Sequence, residues 1–179
     1  IGGAMTYPFY KAQGLPIGAS LCKEKDFQAA KRILEQVKAQ GVELLLPVDH
    51  VISKTFSGES GTQTVGKEGI LDGWAAYDIG PETLKLFGNK LHRAKTVVWN
   101  GPMGIFENEL FASGTYELAK VIAGLENCES IVGGGDSASA VRKAGLLDQF
   151  SHVSTGGGAS LELLEGQPLP GVLVLDDED

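Results

Sequence analysis

Four times in 179 residues an apolar run gives way to a cluster of glycines and then to a helical pattern. The clusters are Ile1-Gly2-Gly3, Asn100-Gly101-Pro102-Met103-Gly104, Gly133-Gly134-Gly135-Asp136-Ser137 and Gly156-Gly157-Gly158-Ala159-Ser160. The last three follow the apolar runs Thr96-Val97-Val98-Trp99, Ser130-Ile131-Val132 and His152-Val153-Ser154-Thr155. Strand, glycine turn and helix in repetition, with continuous rather than alternating apolar strands, predict an α/β fold. Its core is an open parallel sheet of Rossmann-like type with helices on both faces. Ligands of such sheets bind beyond the carboxyl ends of the strands, so the four turns are expected around one crevice. Glycine supplies 25 of the residues, about twice its usual share of roughly 7%. Its clustering puts bare backbone where a side chain would obstruct a ligand.

The remaining elements follow from periodicity and breakers. A helix is expected over Met5 to Gln13, with Pro8 tolerated near its first turn. Asp26 is expected to cap a second helix that carries Phe27, Ala30, Leu34 and Val37 on one face and stops at Gly41. Glu43 to Pro47 suits a short strand, and Ser57 to Gly69 a turn-rich loop. Pro81 opens a helix at its favoured first position. Leu118, Val121, Ile122 and Leu125 make one apolar stripe of another.

Composition removes several classes of function. Lys and Arg total 15 against 23 Asp and Glu, a net charge of −8, and no basic cluster exists to displace counterions from a nucleic acid. Asp176, Asp177, Glu178 and Asp179 read as a solvated tail. No apolar run approaches the roughly 20 residues that span a bilayer, which argues against a membrane partner. Cys22 and Cys128 stand apart without a metal or redox motif, and His50, His92 and His152 are too dispersed for metal-ligand spacing. A cytoplasmic protein is expected.

The glycine turns carry the chemistry. At Gly133 to Ser137, backbone N–H groups and the positive end of a helix suit a phosphate, while a tight turn capped by Asp136 is the plainer alternative. A carboxylate beside a polyphosphate is repulsive unless a cation lies between them. Should a phosphate bind, Asp136 is therefore better read as a magnesium ligand, since magnesium takes one or two carboxylates plus phosphate oxygens and water. Gly156 to Ser160 repeats the arrangement without the acid, either to face a transferring phosphoryl group or simply to pack a helix start on the sheet. In the turn at Asn100, the amide can reach a phosphate or ribose and Glu107 can accept from ribose hydroxyls; a bare turn with a surface Glu is the alternative. Gly61 to Lys67 imitates a phosphate-binding P-loop, but Glu68 stands where a Ser or Thr must ligate magnesium and no strand precedes it. Gly133, Gly135 and Ala138 imitate a dinucleotide fingerprint, but the next strand ends in Ser154-Thr155 instead of an acidic residue, and Asp136 would face an unshielded pyrophosphate.

Taken in order, Val98-Trp99-Asn100-Gly101-Pro102-Met103-Gly104-Ile105-Phe106-Glu107, Gly133 to Ser137 and His152 to Glu162 resemble the phosphoglycerate kinase family. Leu46-Pro47-Val48-Asp49, Asp78-Ile79-Gly80-Pro81 and Leu169-Pro170-Gly171-Val172 fit it too, so the resemblance runs over essentially the whole chain. It implies a monomeric, two-domain hinge-bending kinase of glycolysis. Such an enzyme moves a phosphoryl group reversibly between 1,3-bisphosphoglycerate and Mg2+-ADP, giving 3-phosphoglycerate and ATP. Residues 1–179 correspond to its nucleotide-binding C-terminal domain without the first strand–helix unit, and the N-terminal domain that binds phosphoglycerate lies outside the chain. By motif, Gly2, Gly3 and Leu21 line the adenine pocket and Glu107 holds the ribose. Asn100, with Pro102 and Gly104 in its turn, meets the nucleotide phosphates. Gly134, Gly135, Asp136 and Ser137 surround phosphates and magnesium, and Gly157 and Gly158 present helix N–H groups to the transferring phosphoryl.

Ala4 stands where the family usually has a third glycine, and a glycine is usual near Ala76 in the segment after Trp74; a methyl group at either point is expected to narrow the adenine pocket. The family's preceding stretch carries the first strand of this domain and lysines that reach the phosphates. Phosphoryl transfer needs cations on the transferring group, and none of these turns holds a Lys or Arg; Arg142 and Lys143 lie more than a helical turn past Asp136. The chain by itself is therefore expected to bind Mg2+-nucleotide without turning over. A stand-alone nucleotide or phosphate receptor without chemistry is the alternative, and a nicotinamide-dependent oxidoreductase is disfavoured by the two mismatches above.

Overall fold

A computed structural model describes residues 1–175; the acidic tail Asp176 to Asp179 lies outside them. A short 3-10 turn, Gly3–Met5, leads into α1 (Thr6–Ala12) and α2 (Glu24–Gln40). Three strands follow: β1 (Asp49–Ser53), β2 (Gln63–Gly66) and β3 (Ala75–Ile79). The rest alternates as α3 (Pro81–Leu91), β4 (Thr96–Asn100), α4 (Ser113–Ala123), β5 (Glu129–Gly133), α5 (Gly135–Lys143), β6 (His152–Ser154), α6 (Gly157–Leu164) and α7 (Pro170–Leu173).

The parallel sheet predicted from the apolar runs is present, in the order β4-β5-β6. Its two faces are separated by the alternation of side chains along a strand. Val97, Trp99 and Val132 point to one face and pack with Phe87 of α3, Leu118 and Ile122 of α4, Val141 of α5 and Phe150. The other face carries Val98, Asn100 and Gly133, and α6 meets it where Ser160 lies against Gly133. Of the stripe predicted from Leu118, Val121, Ile122 and Leu125, Leu118 and Ile122 are buried on α4, Val121 is only partly buried, and Leu125 lies past the helix end at Ala123, partly buried against the same core. Pro81 opens α3 directly after Gly80, and Gly41 closes α2 with a left-handed φ of 66°.

Three expectations need correction. Asp26 is not the cap of the second helix: α2 starts at Glu24, with Lys23 preceding it and Asp26 in its first turn. Both Glu24 and Asp26 still sit where the helix dipole favours acid. Glu43 to Pro47 is not a ladder strand among the described residues; the segment is tied instead by the Ile1 ammonium, which donates to the Leu45 carbonyl at 2.9 Å. The stretch from Ser57 to Gly69 is not all loop, because Gln63–Gly66 forms β2 at the edge of a second, antiparallel sheet ordered β2-β1-β3. β2 buries almost nothing, only Val65 partly, which is why apolar patterning could not reveal it. Its place in that hairpin also removes the P-loop imitation, which requires a strand before the loop and a helix after it.

Buried polar groups lock the antiparallel sheet to its surroundings. Asp49 caps α3: its carboxylate accepts from the N–H groups of Glu82 (3.0 Å) and Thr83 (2.7 Å) and from the Thr83 hydroxyl (2.6 Å). The Tyr10 hydroxyl donates to the Pro47 carbonyl and lies 2.9 Å from His50 Nε2. With that hydroxyl proton committed, Nε2 must carry the imidazole proton, and Nδ1 is a buried acceptor with no partner among the described residues. Burial lowers the His50 pKa to about 4, against a smaller opposing pull from Asp49. Asp78, at the end of β3, accepts from Ile79 N–H (2.9 Å) and from Gly114 N–H at the start of α4 (2.7 Å). Burial raises its pKa to about 7, and these two backbone donors pull the other way without prevailing.

The two groups act oppositely on stability. Between about pH 4 and 7 the folded chain binds a proton at Asp78 that the unfolded chain has released, so this contribution falls as pH rises. Between about pH 4 and 6.5 the unfolded chain binds a proton at His50 that the folded chain refuses, so that contribution rises with pH. Each slope is at most about 1.4 kcal/mol per pH unit. Asp78→Asn should therefore unmask a stability that climbs from pH 4 to 6.5, measured by urea unfolding, where the unmodified chain is flatter. An unchanged profile would mean that Asp78 keeps an ordinary acidity.

Candidate functional site

In-register pairing of the parallel strands puts their carboxyl ends side by side: Asn100 lies opposite Gly133, and Gly133 opposite Ser154. The turns that follow therefore leave the sheet at one edge. There they meet at backbone distance. A Cβ on Gly157 would fall 2.8 Å from the Gly134 Cα, and Gly134 itself has a φ of 97°. Neither position admits a side chain, for a steric reason at Gly157 and a dihedral reason at Gly134.

Asn100 lies between these turns. Its Nδ2 donates to the Gly157 carbonyl at 3.4 Å, and its side chain runs beside Gly133 and Gly134. The amide is exposed, so this long bond leaves it free to turn toward a ligand. Ser137 is fully buried, and its hydroxyl accepts from the Gly101 N–H at 2.8 Å. That bond straps the β4 turn to the first turn of α5. Gly135 and Asp136 are exposed in this same first turn, while Gly158 is exposed at the start of α6 with nothing near a would-be Cβ. Asp136 is not the cap of α5; Gly134 holds that position and supplies no side chain. The carboxylate thus has no structural partner among the described residues and faces solvent.

The β4 turn also forms one wall of a cavity of about 540 Å3, bounded by Gly3, Leu21, Ala76, Tyr77, Pro102 and Gly104. Its floor is rigid. Thr115 Oγ1 accepts from both Met103 and Gly104 N–H groups (3.0 and 3.1 Å), and Ile105 N–H donates to the Tyr77 carbonyl at 3.0 Å. The buried Asp78 carboxylate lies directly behind Gly104. Ala4 and Ala76, the two substitutions noted in the sequence, both line this cavity.

The structure thus brings together Gly3, Leu21, Pro102 and Gly104 at the cavity, and Asn100, Gly134 and Gly157 at the strand ends, with Gly135, Asp136 and Gly158 in the first turns of the helices that follow. Gly2 lies elsewhere, lining a neighbouring groove along β4. Glu107 is exposed just beyond Ile105, the last cavity residue of its loop, and does not line the cavity. Phe56 and Tyr77 were not singled out by the sequence, yet both line the cavity and stack edge-on with ring centroids 5.9 Å apart. Twenty-one positions separate them, so only the folded sheet reveals the pair.

Arg142 and Lys143 fall in the last turn of α5, and the Lys143 ammonium sits 5.1 Å over the Phe106 ring. Among the described residues no three His, Cys, Asp or Glu side chains assemble into a metal cage. No helix among them is long and apolar enough to cross a membrane.

These features define an open α/β protein whose crevice lies at the carboxyl edge of a parallel sheet, with an apolar cavity at one end and glycine-lined helix starts at the other. A model of the phosphoglycerate kinase family matches residues 1–167. The cytosolic phosphoglycerate kinase 3 of Arabidopsis thaliana is 52% identical over 99% of this chain and 45% of its own length; the phosphoglycerate kinase of Trichodesmium erythraeum is 51% identical with the same coverage. Among solved structures, phosphoglycerate kinase from Coxiella burnetii superposes with a TM-score of 0.90 at 40% identity, over 96% of this chain and 44% of that one. The enzyme from Pyrococcus horikoshii superposes with a TM-score of 0.73 at 32% identity. The chain belongs to the phosphoglycerate kinase family, and it spans somewhat less than half the length of the relatives it matches.

Close approach of the two glycine turns is testable directly. Gly157→Ala should cost about 1–3 kcal/mol, because backbone rather than a flexible side chain must give way. Gly158→Ala, one residue on in open space, should be nearly neutral in the same thermal unfolding experiment. Equal effects would mean that the turns do not meet.

Proposed function

We propose that residues 1–179 are the nucleotide-holding domain of phosphoglycerate kinase, a cytoplasmic glycolytic enzyme that as a whole acts as a monomer on 1,3-bisphosphoglycerate and ADP. One observation carries this reading: three glycine turns emerge in register beside a cavity of about 540 Å3, a volume within the usual range of small-molecule sites. Adenine enters the cavity between Leu21 and Pro102 and against the Tyr77 edge, with Gly3 and Gly104 leaving the walls bare. The Ala4 and Ala76 methyls narrow this volume. Glu107, at the rim, accepts from the ribose hydroxyls. The phosphates then extend along the β4 turn toward Asn100 and the first turn of α5.

The helix starts do the electrostatic work. Exposed N–H groups at Gly135 and Gly158 face the phosphates with the positive ends of α5 and α6 behind them, while the Gly134 and Gly157 N–H groups donate to the Ser154 and Thr155 carbonyls and hold the turns in place. Ser137 acts at one remove, since its buried hydroxyl holds Gly101 and so fixes the approach of Asn100. Magnesium fits this site only together with a nucleotide: Asp136 is a single exposed carboxylate, and phosphate oxygens with water would complete its octahedron. Bound there, magnesium would neutralise charge on the phosphates.

Transfer itself asks for more. A metaphosphate-like group spreads charge over three oxygens and needs fixed cations beside it. Lys143 lies over Phe106 at the far end of α5, and none of the three glycine turns carries a Lys or Arg. The phosphoglycerate-binding half and the cations are contributions of the remaining length of the family's enzymes. These residues alone bind Mg2+-ADP and do not turn over.

Titration of the 179-residue chain with ADP and magnesium in a calorimeter should give saturable one-site binding. Asp136→Ala should weaken it about tenfold, about 1.4 kcal/mol, without weakening binding in excess EDTA. A coupled kinase assay with 1,3-bisphosphoglycerate should register no turnover. Absence of any ADP binding at millimolar concentration would refute the nucleotide assignment, and binding that prefers a dinucleotide to ADP would replace it with the oxidoreductase alternative.

A further inference from the structure

Of the three aromatic side chains that line the cavity of about 540 Å3, Tyr7 is buried and Tyr77 half-buried, but Phe56 is 64% exposed. Burial therefore cannot hold the Phe56 ring, and exposed side chains change rotamer within nanoseconds. The ring nevertheless meets Tyr77 edge-on, and Tyr77 in turn packs on Phe111 with centroids 4.9 Å apart. What fixes it is the loop between β1 and β2 that carries it. At the base of this loop the Ser53 hydroxyl donates to the Gly61 carbonyl at 2.9 Å. At its tip the Gly58 N–H donates to the Thr55 carbonyl at 3.1 Å, closing a tight turn in which Gly58 has a φ of 76°. Phe56 and Ser57 are the central residues of that turn, so their carbonyls find no partner inside it.

Asn108, on a different loop, takes both. Its Nδ2 donates to the Phe56 and Ser57 carbonyls, each at 3.4 Å. The amide is aimed by its other end: Oδ1 accepts from the Leu110 N–H at 3.0 Å and caps the 3-10 turn Glu109–Phe111, which leaves the NH2 group facing the Phe56 turn. A side chain on Gly58 would collide with Leu110, so the two loops also touch directly. We infer that Asn108 is a positioning residue of this site, latching the Thr55–Gly58 turn so that the Phe56 ring stands at the cavity mouth. On the nucleotide reading proposed above, on which this role rests, the ring packs against the base, a contact worth about fivefold in affinity. Asn108 does not line the cavity itself and reaches the ligand only through Phe56. The phosphates extend toward Asn100 and gain nothing from the ring. On the same reading its chain neighbour Glu107 accepts from the ribose, so one short segment governs both the sugar and a wall of the base pocket.

The first measurement needs no ligand. In the 179-residue chain the Phe56 and Tyr77 ring protons should show a nuclear Overhauser contact. Asn108→Ser keeps a capping oxygen for the Leu110 N–H, lacks the NH2 group and adds no charge. It should lose the Phe56–Tyr77 contact and keep the Tyr77–Phe111 one. Asn108→Asp also caps but sets a carboxylate against the two carbonyls; it should act in the same direction and serves if the serine variant fails to fold. Adenosine and magnesium pyrophosphate are then titrated separately by calorimetry. Asn108→Ser should weaken adenosine about fivefold and pyrophosphate by less than about twofold. Phe56→Ala, a truncation of an exposed ring, should weaken adenosine to the same degree. Asn108→Ser added to it should change nothing more, because two residues acting through one contact are not additive. The proposal is overturned by an undiminished Phe56–Tyr77 contact in Asn108→Ser, by equal weakening of both ligands, or by effects that multiply in the double variant. Should the unmodified chain bind neither ligand, the nucleotide reading fails, and the ring contact by itself decides whether Asn108 holds Phe56.

Discussion

Everything at the candidate site depends on the register of three parallel strands. Because Asn100, Gly133 and Ser154 stand in one row, each following turn starts at the same height above the sheet. Two of those turns then come within backbone contact at Gly134 and Gly157. A one-residue slip between β4 and β5 would put Trp99 and Val132 on opposite faces and separate Asn100 from Gly133. The apolar burial of Val97, Trp99 and Val132 and the geometry of the crevice are thus one constraint seen from two sides.

Rigidity at this edge comes from short polar side chains, not from bulk. Thr115 holds Met103 and Gly104, Ser137 holds Gly101, and Asp78 takes the first free N–H of α4. Each satisfies backbone donors that the turns and helix starts leave without ladder or helical partners. The result is a β4 turn fixed to the helices on either side of it. Asp78 achieves this at an electrostatic cost, because its burial opposes the ionisation that its two donors favour.

Much of this was legible in the residues themselves. Alternation of apolar runs, glycine clusters and helical periods is a local signal, and it yields the parallel sheet, the helix starts at Pro81 and Gly157, and the stop at Gly41. The motif order from Val98 to Glu162 carries the family. Weak local signals failed in predictable places: β2 because it exposes nearly every side chain, Asp26 because an acid in a first turn resembles a cap, and Glu43 to Pro47 because an apolar run gives no information on whether a neighbour is available to pair.

By itself, the sequence determined the class of sheet, the family and the set of bare-backbone turns, since all three rest on residue types that act within a few positions of each other. Tertiary structure alone decided which turns touch and what lies around them. Phe56 faces Tyr77 across 21 positions, Ser137 turns inward to serve Gly101, Gly2 lines the groove instead of the cavity, and Glu107 stops short of it. Those outcomes depend on distances set by strand register and helix packing, which accumulate over the whole chain and leave no mark on any local stretch of it.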